Sequence, residues 1–305
     1  MDRPTLLMLC GLPCSGKSTK AQEFAEEHNA TIFSSDSLRQ EMFGDVNEQS
    51  HNQDLFVELH KRIKNWLMNG ESAIYDATNI SYKRRMAFLV ELKKIPCEKI
   101  CVLMATPYEE CLRRNAERER KVPEEVIKRM YMNFNIPYWY EGWDDIRIIG
   151  SHASYYNVDE VVNPLVGYDQ GNSHHSLSLG DHLWKAYGIY CNAYLSLDDC
   201  DDVNAMATIL HDMSKPFCMT EVNSRGVNDG NVHYYNHQFV SAYDSLFVNT
   251  LHDRLDVAIR IMWHMQPYFW EKDNNEKLHN KYRQLWGEEL YLDIMRIHAA
   301  DKAAH

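Results

Sequence analysis

The octet Gly11-Leu12-Pro13-Cys14-Ser15-Gly16-Lys17-Ser18 fits the spacing G-x-x-x-x-G-K-[ST], a pattern that functions only where a strand ends and a helix begins. At such a junction, backbone N–H groups and the helix N-terminus converge on an anion. Both neighbours are readable. The apolar run Leu6–Cys10 precedes the octet as a strand, and Ser18–Glu27 follows with helical spacing. Gly11, Ser15, Gly16 and Thr19 belong to the phosphate cradle, Lys17 reaches the β/γ-phosphates, and Ser18 binds Mg²⁺. ATP, or another nucleoside triphosphate, is the expected donor.

The first half of the chain repeats this strand–helix alternation. Strands are expected at Leu6–Cys10, Thr31–Ser34, Ala73–Tyr75, Ile100–Ala105 and Ile146–Ile149. Helices are expected at Ser18–Glu27, Asp54–Met68, Tyr82–Lys94 and Tyr108–Arg118, the pattern of a parallel sheet covered by helices. After Gly150 the alternation stops. Residues 182–195, 202–212, 236–250, 252–268 and 288–304 read as helices with no strands between them. An α/β domain over 1–152 and an all-α domain over 153–305 are therefore expected, a division that suits a chain of 305 residues.

Bulk properties narrow the classes of partner. The net charge is -12, which argues against coating a long nucleic acid, since that affinity comes from many Lys/Arg–phosphate contacts. The first 150 residues carry 21 Lys+Arg against 23 Asp+Glu, and the remainder 11 against 21. A site for an end and for metal ions suits this distribution better than a groove that tracks a backbone. The eight cysteines form no CxxC pair and read as reduced thiols. No signal segment or membrane span is apparent, so a cytoplasmic protein without a membrane partner is expected.

Three further segments carry chemistry at the sheet edge, where doubly wound folds bind ligands. In Ser34-Ser35-Asp36-Ser37-Leu38-Arg39, Asp36 can accept the proton of an attacking hydroxyl and Arg39 can grip an acceptor phosphate. Asp36 also reads as a helix N-cap. Asp76, after the third strand, is a candidate Mg²⁺ residue; Asn79 either orients the acceptor or only makes a turn, and Arg84 and Arg85 read as a solvated helix face. The run Cys111 to Lys121 is either a solvated helix or a lid over the triphosphate. As a lid it would place Arg118 first, then Arg114 and Arg120, against the transferred phosphoryl group.

Together these segments, with the trailing Ile127-Lys128-Arg129-Met130-Tyr131, resemble the phage-type polynucleotide 5'-kinases across residues 1–150. The resemblance implies that Lys17 and Ser18 bind ATP and metal, Asp36 activates the 5'-hydroxyl, Arg39 binds the acceptor's 3'-side phosphate, and Arg118 contacts the donor phosphates. The glycine-rich loop and the Asp-x-x-Arg pair occur in small-molecule kinases as well.

Most of the fifteen histidines fall after residue 150. His211-Asp212 closes an apolar helix and precedes Lys215, a candidate to neutralise a bound phosphate. With His182 before it and Asp301 after it, the order H…HD…D resembles the HD superfamily of metal-dependent phosphohydrolases over roughly residues 170–305. That resemblance implies a metal on His182, His211, Asp212 and Asp301, with His237 and His264 for a second ion. His264 also reads as a packed core histidine, and His174 and His175 as substrate contacts or loop residues. Such ligands admit one or two divalent transition metals, which would activate water and clamp phosphate oxygens.

The pairing implies end repair of RNA or DNA. The kinase supplies a 5'-phosphate, and the phosphatase clears a 3'-phosphate or a 2',3'-cyclic phosphate for a ligase in the same pathway. The rival expectation is a nucleoside kinase joined to a nucleotide phosphohydrolase. A regulatory module with a degraded site is disfavoured by the intact Lys17, Ser18, Asp36, His211 and Asp212.

Overall fold

The computed structural model describes residues 3–150, 157–171, 176–195, 202–248, 253–273 and 276–305. The chain divides into two compact units, residues 1–130 with 137–151, and residues 131–136 with 152–305. The short segment 131–136 thus departs from a single division at 152/153. His174, His175 and residues 151–156 lie outside the described residues.

The first unit is built on five parallel strands: β1 (Thr5–Cys10), β2 (Thr31–Ser34), β3 (Ala73–Asp76), β4 (Glu98–Ala105) and β5 (Asp145–Gly150), in the order β2-β3-β1-β4-β5. Its helices are α1 (Lys17–His28), α2 (Ser35–Phe43), α3 (Asn52–Met68), α4 (Tyr82–Glu91), α5 (Tyr108–Glu117) and α6 (Glu124–Tyr131). β1 is central and covered on both faces, which is why Leu6-Leu7-Met8-Leu9-Cys10 is apolar without alternation and fully buried. Leu7 and Leu9 face one side with Ile74, Ile100 and Val102, packed against Ala21 and Phe24 of α1. Burying each such side chain contributes about 1.5–3 kcal/mol, so the strand that aims the glycine-rich loop is also among the best anchored.

The second unit is mainly helical: α7 (Val158–Val162), α8 (Leu179–Tyr194), α9 (Val203–Leu210), α10 (Lys215–Cys218), α11 (His237–Ser245), α12 (Arg254–Trp263), α13 (Gln266–Asp273) and α14 (Glu276–Ala304). The all-α expectation fails in one place. β6 (Met219–Val222) and β7 (Asn228–Tyr234) form an antiparallel hairpin. Its residues are largely exposed, so no hydrophobic alternation marks it. The single helix expected over 252–268 is two, because Pro267 has no N–H to donate to the carbonyl of Trp263, where α12 ends, and sits instead in the first turn of α13, where none is needed. α14 is broken at Gly287 (φ 76°, ψ 171°), so its continuous second part begins at residue 288, as the pattern of the sequence indicates. Among the described residues, no helix is long and apolar enough to cross a membrane.

Candidate active sites

The glycine-rich loop leaves the carboxyl end of β1, with neighbours on both sides that dictate its composition. A Cβ at Gly11 would stand 2.6 Å from Ser15 Oγ and 2.9 Å from Met104 Cβ. Gly11 N–H donates to Thr78 O (3.0 Å), and Gly16 caps α1 with φ 93°, a conformation that favours glycine. Lys17 is buried and folds back over the loop, donating to Leu12 O (2.6 Å) and Gly11 O (3.1 Å). Burial lowers its pKa, and the Asp76 carboxylate works against that shift. Ser18 Oγ donates to Asp76 Oδ2 (2.9 Å), so the two oxygens expected to hold Mg²⁺ already adjoin. Burial pushes the Asp76 carboxyl up in spite of Lys17 and Ser18, the condition in which a divalent cation is a favourable neighbour. Thr19 lies exposed in the first turn of α1.

Asp36 is not the helix cap. Ser34 caps α2, accepting from Ser37 N, which leaves both Asp36 oxygens to arginines. Arg39 Nη1 donates to Oδ1 (3.1 Å) and Arg120 Nη1 to Oδ2 (2.8 Å). Arg39 is 5% exposed and is held by Asn52 Oδ1 (2.8 Å), while its Nε is buried without a hydrogen-bond partner. A donor stranded in this way points to an acceptor that arrives with a ligand.

Of the three arginines expected in a lid, Arg120 spans to Asp36, Asn47 Oδ1 (3.1 Å) and Val46 O (3.2 Å). Arg118 Nη1 lies 3.4 Å from Cys14 Sγ in the glycine-rich loop, and Arg114 Nε donates to Glu110 (2.6 Å). The segment is closed at its base by Asn115, which the sequence reading passed over: Nδ2 donates to Val122 O (2.8 Å) and Oδ1 accepts from Val122 N (2.9 Å).

Asn79 makes the turn that was one of its two expected roles, with φ 47° and Nδ2 donating to Leu9 O (2.8 Å). One expectation is corrected. Arg85 is no solvated residue but is buried, paired with Glu141 (2.6 and 2.8 Å) and donating to Asn79 O (2.8 Å). Arg84 is exposed, as expected.

In the second unit, six sequence-selected residues converge: His182, His211, Asp212, His237, His264 and Asp301, all buried. Helix ends aim three of the imidazoles by one device. His211 and His264 follow the last residues of α9 and α12, and His237 opens α11. Each ring places Nδ1 on the carbonyl three residues earlier: Thr208 (2.7 Å), Ile261 (2.7 Å) and Tyr234 (2.6 Å). Nδ1 must be the donor there, so a neutral ring presents a lone pair at Nε2.

These Nε2 atoms lie against one another and against that of His182. His237 Nε2 is 3.4 Å from His264 Nε2, and His182 Nε2 is 3.4 Å from His211 Nε2. Asp301 Oδ1 stands 3.1 Å from His182 Nε2 and 3.4 Å from His211 Nε2. Asp212 Oδ1 is 2.9 Å from His237 Nε2, yet it lies buried without a hydrogen bond. Imidazole nitrogens and carboxylate oxygens this close repel unless a proton or a metal cation lies among them, and their types fit a metal. Two groups, His182/His211/Asp301 and His211/Asp212/His264, have the spacing to hold one.

The cage draws positive charge. Burial opposes ionisation of both carboxylates, but Lys215 and His211 beside Asp212, and His211 and His182 beside Asp301, hold them well below the usual range. Burial also works against charge on His211, yet Asp212 and Asp301 raise it to about 10. Burial brings His264 down to about 4. Lys215 is itself buried, bridging Asp212 Oδ2 (2.6 Å) and Gln170 Oε1 (2.9 Å), so its charge serves the cage directly. Sequence reading missed Gln170, Tyr268 and His305. Tyr268 donates to Asp301 Oδ2 (3.0 Å), and His305 Nε2 is 3.5 Å from Asp301 Oδ1.

Comparison with known proteins places the first unit. Residues 6–137 match the family model described as an AAA domain. The L-seryl-tRNA(Sec) kinase of Methanococcus maripaludis is 30% identical over 174 residues, covering 55% of this chain and 67% of that protein. Among solved structures, a chain of the Pnkp1/Rnl/Hen1 RNA repair complex is similar at 24% identity, with 43% of each chain covered and a TM-score of 0.38. A gluconokinase of Sinorhizobium meliloti is similar at 14% identity, with 50% of this chain and 85% of that one covered and a TM-score of 0.37. With a parallel sheet, a strand–loop–helix phosphate cradle and a buried loop lysine beside a Ser–Asp pair, the chain belongs, through its first unit, to the P-loop kinases.

Proposed function

We propose that the first unit transfers the γ-phosphoryl group of ATP to the 5'-hydroxyl of an RNA or DNA end, and that the second is a metal-dependent phosphohydrolase of the HD type that removes a 3'-phosphate or a 2',3'-cyclic phosphate. The observation that carries this reading is the presence in one chain of an Asp36–Arg39 acceptor pair and a cage of four imidazoles and two carboxylates. The relative's name puts its acceptor on a tRNA, which supports an acceptor carried on RNA. The net charge of -12 favours the rival reading, a nucleoside kinase joined to a nucleotide phosphohydrolase.

In the kinase, Asp36 takes the proton of the attacking hydroxyl once Arg120 leaves its Oδ2, while Arg39 stays on Oδ1 and offers its unpartnered Nε to the acceptor phosphate. Lys17 exchanges the Gly11 and Leu12 carbonyls for donor phosphate, and Arg118, already beside the loop, bears on the transferred group. Ser18 and Asp76 would hold Mg²⁺, which neutralises phosphate charge. In the second unit, His182, His211, Asp212 and Asp301 would hold one divalent transition metal, with His237 and His264 available to a second, supplying an activated water and charge for the phosphate oxygens. Lys215 keeps Asp212 ionised and oriented. The product carries a 5'-phosphate and a 3'-hydroxyl, the ends a ligase joins.

An oligonucleotide with a 5'-hydroxyl and a 3'-phosphate tests both claims at once. Lys17→Ala should abolish 5'-phosphorylation and leave 3'-phosphate release, and His211→Ala should do the reverse. Loss of both activities in either variant, with the protein folded, would count against two separate sites.

A further inference from the structure

Asp301 is gripped from behind by α13. Tyr268, in the first turn of that helix, donates its hydroxyl to Asp301 Oδ2 (3.0 Å). Its ring stands edge-on to His298, with centroids 4.4 Å apart and planes at 84°. His298 lies one turn before Asp301 on α14, and its Nε2 meets Glu271 Oε1 of α13 at 2.9 Å. Lys302, just after Asp301, donates to Glu271 Oε2 (2.9 Å). Two residues of α13, one turn apart, therefore hold α14 on both sides of the carboxylate.

The two oxygens of Asp301 consequently have separate partners. Oδ2 accepts from Tyr268, and Oδ1 faces His182 and His211. A carboxylate rotates readily about its last bond, and its two oxygens are equivalent to a cation, which can take one or both. The Tyr268 hydroxyl occupies one of them and fixes the plane of the group. We propose that Tyr268 is a positioning residue of the metal cage, fixing Asp301 as a ligand through Oδ1 alone, in line with His182 and His211. The inference rests on the metal-cage reading given above. Hydrogen-bond partners of this kind behind a metal ligand typically govern about 10–100-fold in metal affinity.

Tyr268→Phe removes the hydroxyl and keeps the ring on His298. Glu271→Gln weakens the other half of the grip without touching Asp301. Co²⁺ binding to the full chain, followed by visible d–d absorption in competition with a chelator, separates the two effects. Tyr268→Phe should weaken one class of Co²⁺ site by about 10–100-fold and alter its absorption, in a protein that still unfolds cooperatively. Glu271→Gln should bind Co²⁺ as the wild type does, and both variants should keep 5'-phosphorylation. Equal affinity in Tyr268→Phe and wild type would overturn the proposal, as would an equal loss in both variants, which would mean that α13 acts by packing alone. Wild-type Co²⁺ absorption that persists in His211→Ala would instead remove the cage reading itself, and the proposal with it.

Discussion

Replacing Arg85 with Met tests how the nucleotide site is held. Arg85 and Glu141 are joined through two bonds, Nη2–Oε1 at 2.6 Å and Nε–Oε2 at 2.8 Å, with side chains 1% and 0% exposed. Trp143 Nε1 adds a third donor to Glu141 (2.9 Å), and Arg85 Nη1 reaches Asn79 O, beyond the Asp76 end of β3. In Arg85→Met, Glu141 would keep a buried charge with only the indole as partner. Breaking a buried pair from one side costs about 3–5 kcal/mol. At roughly 2–4 °C per kcal/mol for a unit of this size, the transition of the first unit should fall by about 6–20 °C. Scanning calorimetry with and without ATP identifies that transition, because ligand raises it. Arg85→Met/Glu141→Leu should recover most of the loss, since no charge is then stranded. A loss below about 1 kcal/mol in the single variant, or a double variant no better than it, would refute the reasoning.

Arg39→Ala should lower kcat/KM for a 5'-hydroxyl oligonucleotide by about 10–150-fold, the equivalent of one charge-assisted bond of roughly 1.5–3 kcal/mol, and should slow a bare nucleoside far less. Equal depression of both would shift the balance to a small-molecule kinase. The cage should also respond to pH. In protein stripped by a chelator, His211, raised to about 10 by Asp212 and Asp301 against the pull of burial, is protonated at neutral pH. Its unfolded value is near 6.5, so this contribution to stability is complete below about pH 6.5 and is lost as pH rises through about 10. The melting temperature of the stripped second unit should therefore fall over that window in wild type and less so in His211→Ala. Parallel curves would contradict it.

Much of the first unit was legible because its signals are local. A central parallel strand must be apolar on both faces, as Leu6–Cys10 is, and the loop after it has few alternatives. The adjacency of Ser18 and Asp76 followed from strand ends that share one edge of a sheet. Arg85 was misread because its partner lies 56 residues away and helical spacing cannot report it. In the second unit the residues that meet at the cage were readable as a set, but the device that aims them was not. It depends on where helices end, and at His264 that end is dictated by Pro267, a breaker inside an otherwise periodic run. The exposed hairpin β6–β7 and the contacts of Gln170 and Tyr268 have no periodic signature, since tertiary packing alone creates them.

The central claim is that the kinase acts on a polynucleotide end, and transfer of labelled γ-phosphate from ATP tests it most directly, with a 5'-hydroxyl oligonucleotide, a nucleoside 3'-monophosphate and a free nucleoside as parallel acceptors. The oligonucleotide should be labelled most efficiently, and the 3'-monophosphate should recover much of the deficit of the nucleoside, because it restores the phosphate proposed as the partner of Arg39. Preferred labelling of the free nucleoside would contradict the account.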